Sequence, residues 1–97
     1  MPHFIMLTTL SHGSLDNPQS LEELEHRVIE RVHAECPTVE WVSNYAILGA
    51  ADYVDIFKAP DIDTAMRLAI IFRTVGHADV EIWPATEWTR FKKMLSS

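Results

Sequence analysis

A chain of 97 residues, 47% of them hydrophobic, buries one core and has little surplus, so residues 1–97 read as a single domain. Its 14 acidic residues outnumber 8 basic ones, and the net charge of −6 excludes a nucleic-acid partner, because phosphate binding depends on clustered cations. No apolar run approaches the roughly 20 residues that cross a bilayer, so no membrane partner is expected. Cys36 stands alone and forms no intrachain disulfide, and the N-terminus enters a strand-like run with no charged leader, which is the pattern of a cytoplasmic protein.

His3 to Thr9 is a short apolar run with β-branched and aromatic members, stopped by Ser11-His12-Gly13, and is predicted as the first strand. After a loop from Ser14 to Gln19, Ser20 and Glu23 form a capping box that predicts a helix start. On that helix Leu21, Leu24, Val28, Val32 and Cys36 make one apolar stripe, with Glu25 falling inside it, and Pro37 ends it. His26, Glu30 and His33 share the opposite face at a spacing that suits a metal, but nothing else in the sequence supplies a partner ligand, and a solvated face is the expectation.

Val39 to Leu48 alternates into a second strand, Trp41, Ser43 and Tyr45 on one side and Val42, Asn44 and Ala46 on the other. Gly49 to Asp52 is a hairpin turn, and Tyr53 to Lys58 a third strand that Ala59-Pro60 ends. Asp61 is the expected cap of a second helix carrying Ala65, Leu68, Ala69, Phe72 and Val75, with Gly76 as its stop. Met66, Ile70 and Ile71 lie off that stripe, so this helix needs a second cover. His77 to Ala85 is the fourth strand, and Thr86 is placed to cap a last short helix with Trp88, Phe91 and Leu95 on its apolar edge.

The order β-α-β-β-α-β plus a terminal helix is the split βαβ arrangement of the ferredoxin-like fold. That predicts an α+β domain: an antiparallel sheet with its first and third strands central, two helices on one face, and a short C-terminal helix.

Met1-Pro2-His3-Phe4, Gly49-Ala50-Ala51-Asp52 and Ala59-Pro60-Asp61 together resemble the GYD-domain proteins, small stand-alone domains with an M-P-x-[FY] opening and a G-x-Y-D segment leading through a strand to A-P-D. The likeness covers nearly the whole length. One position departs: the tyrosine of the family's name is Ala51 here, with Tyr53 two residues on. The family is similar in element order to the dimeric α/β barrels, in which two sheets pair face to face. That implies a homodimer or higher homo-oligomer and no particular activity.

If helices cover one sheet face, the aliphatic Ile5, Leu7, Val54 and Ile56 are expected to meet them. The open face then carries Phe4, Met6, Thr8, Ser43, Tyr45, Tyr53, Asp55, Phe57, Glu81 and Trp83, with Trp41 beside them. These are the candidate ligand-binding or interface residues, because an open face this aromatic is expected to be closed by a second sheet or by a small apolar or aromatic ligand. Asp55 is either a hydrogen-bonded structural carboxylate or an acid, base or ligand-orienting group. No metal, phosphate-loop, zinc or nucleophile-elbow pattern is present, and no cofactor is expected. Three expectations from different classes stand side by side: an assembly module, a small-molecule-binding module, and, as the alternative, a cofactor-free oxygenase or isomerase acting on an aromatic or enol substrate.

Overall fold

A computed structural model of the chain describes residues 1–10 and 18–96. The elements follow in the order read from the sequence: β1 (His3–Thr9), α1 (Pro18–Glu35), β2 (Glu40–Ala46), β3 (Tyr53–Lys58), α2 (Ile62–Thr74), β4 (Asp79–Ala85) and α3 (Trp88–Leu95). The strands form one sheet in the order β2-β3-β1-β4, with every neighbouring pair antiparallel and β1 and β3 in the middle. This is the ferredoxin-like α+β arrangement.

Which face the helices cover is the reverse of the expectation. Phe4, Met6, Thr8, Asp55 and Phe57 are buried beneath the helices, and Tyr53 shares their side. Ile5, Leu7, Val54 and Ile56 lie on the uncovered face, half-buried. The register gives the covered face as cross-sheet rows Trp41–Phe57–Phe4–Pro84, Asn44–Asp55–Met6–Ile82 and Ala46–Tyr53–Thr8–Val80. The uncovered face reads Ser43–Ile56–Ile5–Trp83 and Tyr45–Val54–Leu7–Glu81.

The physical reason lies in α2, whose buried side includes the small Ala65 and Ala69. Small residues on the helix leave room that long side chains from the sheet must fill to reach interior density. Phe4, Met6 and Phe57 fill it against Leu68 and Phe72 of α2 and Val28 and Val32 of α1. Phe4 and Phe57 stack with ring centroids 5.4 Å apart, and Trp41 tilts against Phe57 at 5.8 Å and Phe72 at 6.5 Å.

Trp41 reaches that core because the β2–β3 pairing shifts register between Trp41 and Ser43. The extra residue in this bulge turns Trp41 under the helices while Ser43 and Tyr45 keep the other side. The strand ends at Ala46, two residues before the expected Leu48, and β4 starts at Asp79 rather than His77.

The helix ends also depart from the sequence reading in part. α1 begins at Pro18, so Ser20 sits inside its first turn rather than at its cap; the rest of the expected loop and the Ser11-His12-Gly13 stop lie outside the described residues. Proline suits a first helical position, where its missing N–H costs nothing. Asp61 does cap α2: its Oδ1 accepts from the Thr64 backbone N–H at 2.8 Å and from the Thr64 hydroxyl at 2.7 Å. These bonds hold the Asp61 carboxyl below the usual carboxylate range.

At the other end, α2 stops at Thr74, and the left-handed residue is His77, with φ of 51°, not Gly76. Gly76 serves close approach instead: a Cβ there would stand 2.6 Å from the Phe72 carbonyl oxygen and 3.1 Å from Val28 Cγ2. α3 is preceded by Glu87, with no side-chain cap from Thr86 or any neighbour, and buries none of its residues. Trp88 and Phe91 stack on each other at 5.5 Å and remain exposed.

Candidate functional site

Beneath the N-terminal half of α1 the helix and the sheet diverge. Val28, Val32 and Cys36 are buried against the core, whereas Leu24 and Leu21, about one and two turns earlier, are only half-buried. Burial pushes the Cys36 thiol up, as expected for a core cysteine rather than a nucleophile. The opening left under Leu21 and Leu24 is a cleft of about 790 Å3, within the range of small-molecule sites, floored by Trp41, Asn44, Tyr53 and Asp55 and closed at its far end by Phe72.

Asp55 is one of its lining residues. The residue is 5% exposed, and its Oδ1 accepts a hydrogen bond from Nδ2 of Asn44, the residue opposite it in the β2–β3 register. Burial pushes its pKa up; the Asn44 bond opposes this, and Glu25 of α1 pushes it further. A desolvated carboxylate with another negative group nearby is costly to ionise.

Tyr53, two residues before it on the same face, has its hydroxyl pushed up to about 12, first by burial and then by Asp55, with Thr8 opposing. At neutral pH it is therefore a donor and not a base. The Thr8 hydroxyl is wholly buried opposite Tyr53 in register.

The hairpin end of the cleft is fixed by Asp52. Its Oδ2 accepts from the Leu10 N–H at 2.7 Å, its own N–H donates to the Thr8 carbonyl at 2.9 Å, and its carbonyl accepts from the Ile47 N–H at 3.0 Å. One aspartate thus ties the exit of β1 to both arms of the β2–β3 turn. Ala51, where the resemblance leads one to expect tyrosine, is half-buried beside it, and Tyr53, two residues on, lines the cleft.

The candidate residues read from the sequence therefore separate into three groups. Tyr53 and Asp55 line the cleft, while Phe4, Met6, Thr8 and Phe57 lie in or beside the core under the helices. Ser43, Glu81 and Trp83 keep the uncovered face expected for them; Tyr45 shares that face by register and also edges the cleft. Asn44, Glu25 and Asp52 are not among those candidates. Asn44 is polar at an inward strand position, and Glu25 interrupts an apolar helix stripe; each is a visible signal once the covered face is known.

His26 pairs with Glu30 at 3.0 Å on the exposed side of α1, and the described residues hold no group of three side chains placed to bind a metal. Among the described residues no helix is long and apolar enough to cross a membrane.

A four-stranded antiparallel sheet with helices on one face and an apolar cleft between the layers defines the class, a ferredoxin-like α+β domain. A solved structure described as the de novo designed protein Foldit4 is similar to it, with a TM-score of 0.51 and 20% identity over 89% of this chain and 96% of that one. The likeness concerns the fold alone. The GYD-domain family model matches residues 4–95, essentially the whole chain, and the protein belongs to that family. A comparison with curated proteins returns no match.

Proposed function

We propose that the protein is a self-assembling module whose uncovered sheet face meets the same face of a second copy. The observation that carries this is the pair of apolar rows on that face: Ile5, Leu7, Val54 and Ile56 in the central strands, with Trp83 51% exposed beside them. A contiguous apolar surface over two central strands is unfavourable in water, and a two-fold contact hides it on both copies at once.

Two further exposed surfaces support assembly beyond a simple pair. Ile62, Met66 and Ile70 follow one another at four-residue steps along the outer side of α2, and Trp88 and Phe91 lie along α3. Light scattering across a dilution series tests the reading. A dimer or larger assembly that Ile56→Lys dissociates is expected; wild-type protein that is monomeric at every concentration overturns it.

A second reading, binding of a small molecule in the cleft, is favoured by the cavity itself and by the desolvated Asp55 on its floor. It is independent of the first, because the cleft lies on the opposite side of the sheet. A catalytic version, in which a cofactor-free enzyme uses Asp55 as its base, requires that Asp55→Asn abolish turnover while leaving affinity in place. Thermal-shift screening followed by that substitution separates holding a ligand from transforming it.

A further inference from the structure

Resting on the reading of the cleft as a binding site, we infer that its ligand class is an organic cation, an amine or quaternary ammonium carried on an apolar body. Three independent features lead there. The first is charge. Glu25, Asp52 and Asp55 are the charged side chains among the described residues of the cleft, all acidic, and one each comes from α1, the hairpin turn and β3.

No basic residue lines the cleft among the described residues, and three of the arginines in the neighbouring helices are paired elsewhere. Arg31 and Arg67 both reach Glu35, at 3.2 and 3.6 Å, and Arg73 donates from Nη2 to the Val80 carbonyl at 3.1 Å. The negative field in the cleft is thus left for an occupant, and low-dielectric walls concentrate it.

The second feature is the lining. Trp41, Tyr53 and Phe72 present ring surfaces, whose negative faces attract a cation, and Leu21, Leu24 and Val28 give an apolar body its cover. The third is the state of Asp55. Its one hydrogen bond among the described residues comes from a neutral amide, and Glu25 makes its ionisation harder rather than easier.

An ammonium group placed between Glu25 and Asp55 reverses that interaction for both carboxylates. It forms a charge-assisted hydrogen bond to a group that is otherwise under-compensated. An anionic ligand of the same shape meets only repulsion. The acidic groups do not gather tightly enough to hold a metal ion among the described residues, so the cation must bring its own apolar bulk. Binding strengthens with pH as Asp55 ionises and Tyr53 stays protonated.

The test uses the full chain and three probes of one shape: 3-phenylpropylamine, 3-phenylpropan-1-ol and 3-phenylpropionate. Binding is followed by calorimetry and by the fluorescence of Trp41, with Trp83→Phe and Trp88→Phe removing the two exposed indoles. The amine is expected to bind about tenfold or more tighter than the alcohol, and the propionate weaker than both. Asp55→Asn is expected to bring the amine down to the alcohol's affinity. Glu25→Gln, which keeps the shape of a solvent-reached residue on the cleft side of α1, is expected to weaken the amine alone.

Equal binding of amine and alcohol, or tighter binding of the propionate, overturns the inference while leaving the cleft as a binding site. So does amine affinity unmoved by both substitutions. Failure of all three probes to bind overturns the inference and the binding reading together, and leaves self-assembly to be judged by its own light-scattering result.

Discussion

Phe57 and Ile56 are adjacent on β3, yet the fold assigns them opposite energetic roles. Phe57 is wholly buried, stacked on Phe4 at 5.4 Å and tilted against Trp41 at 5.8 Å, while Ile56 is half-buried on the uncovered face. Truncating a buried Phe to Ala costs about 3–5 kcal/mol, from lost transfer energy and the cavity left behind. Against a total of about 5–15 kcal/mol for a domain, that is about a fifth of the stability or more. With an m-value of about 1.5 kcal/mol/M in urea, the midpoint of Phe57→Ala falls by at least ~2 M. Ile56→Ala removes a side chain that is half in water already and costs the isolated fold ~1–2 kcal/mol. On the proposed self-association its effect should be larger. Urea titrations followed by far-UV circular dichroism, run dilute enough to keep the chain dissociated, compare the two. The assignment of faces is refuted if Ile56→Ala shifts the midpoint as far as Phe57→Ala does, or further.

Raising the pH tests Tyr53, whose hydroxyl is held protonated up to about 12 by burial and by Asp55. The folded chain binds that proton more tightly than the unfolded one, so its contribution is complete below pH ~10 and is lost as pH climbs toward ~12. After allowance for the solvent that reaches the ring, wild type should lose ~1–2 kcal/mol more than Tyr53→Phe across that window, read from paired urea melts. Asp55 behaves in the same sense at lower pH. Its folded pKa is raised by burial, so the stability it contributes is whole below the ordinary carboxylate range and lost as pH rises through the raised value; Asp55→Asn should melt higher than wild type at neutral pH and no higher in acid. At the end of α2, Gly76→Ala forces a methyl to 2.6 Å from the Phe72 carbonyl oxygen and should cost ~1–3 kcal/mol. His77→Gly relieves a left-handed backbone and should be neutral to stabilising by up to ~1 kcal/mol, both read from thermal melts.

The elements and their order are legible because each carries a local signature: alternation in β3, the Asp61 cap, the small residues of the Gly49–Asp52 turn. Sidedness is not. Period-two alternation sorts Tyr53, Asp55 and Phe57 from Val54 and Ile56, but both sets are largely apolar, and neither states which one a helix will cover. The deciding information sits elsewhere in the chain, in Ala65 and Ala69, whose small side chains make room for Phe4, Met6 and Phe57. Trp41 escapes a sequence reading for a different reason. A bulge inserts one residue between it and Ser43, and nothing in V-E-W-V-S-N-Y marks that insertion. Gly76 reads correctly as a helix stop but for the wrong mechanism, since a glycine chosen for close approach and one chosen for left-handed backbone look alike in sequence.

The cleft follows from the same sidedness. α1 carries an apolar stripe along its whole length, and a stripe closes onto a sheet only where the sheet offers apolar side chains beneath it. Under Val28 and Val32 it meets the core around Phe57 and Leu68 and closes. Under Leu21 and Leu24 the inward positions of β2 and β3 are Asn44, Asp55 and Tyr53, and full contact would strip water from the exposed Asn44 amide and press Glu25 of α1 toward the already desolvated Asp55. The helix therefore stays apart at that end, and its leucines remain half-buried over polar groups. The opening does not require a weak core elsewhere; it is what an apolar helix must do above a polar pair on an otherwise apolar sheet. Replacing Asn44 and Asp55 together by apolar residues of similar size removes the reason for the gap, and α1 should then settle onto the sheet along its full length at the expense of the cleft.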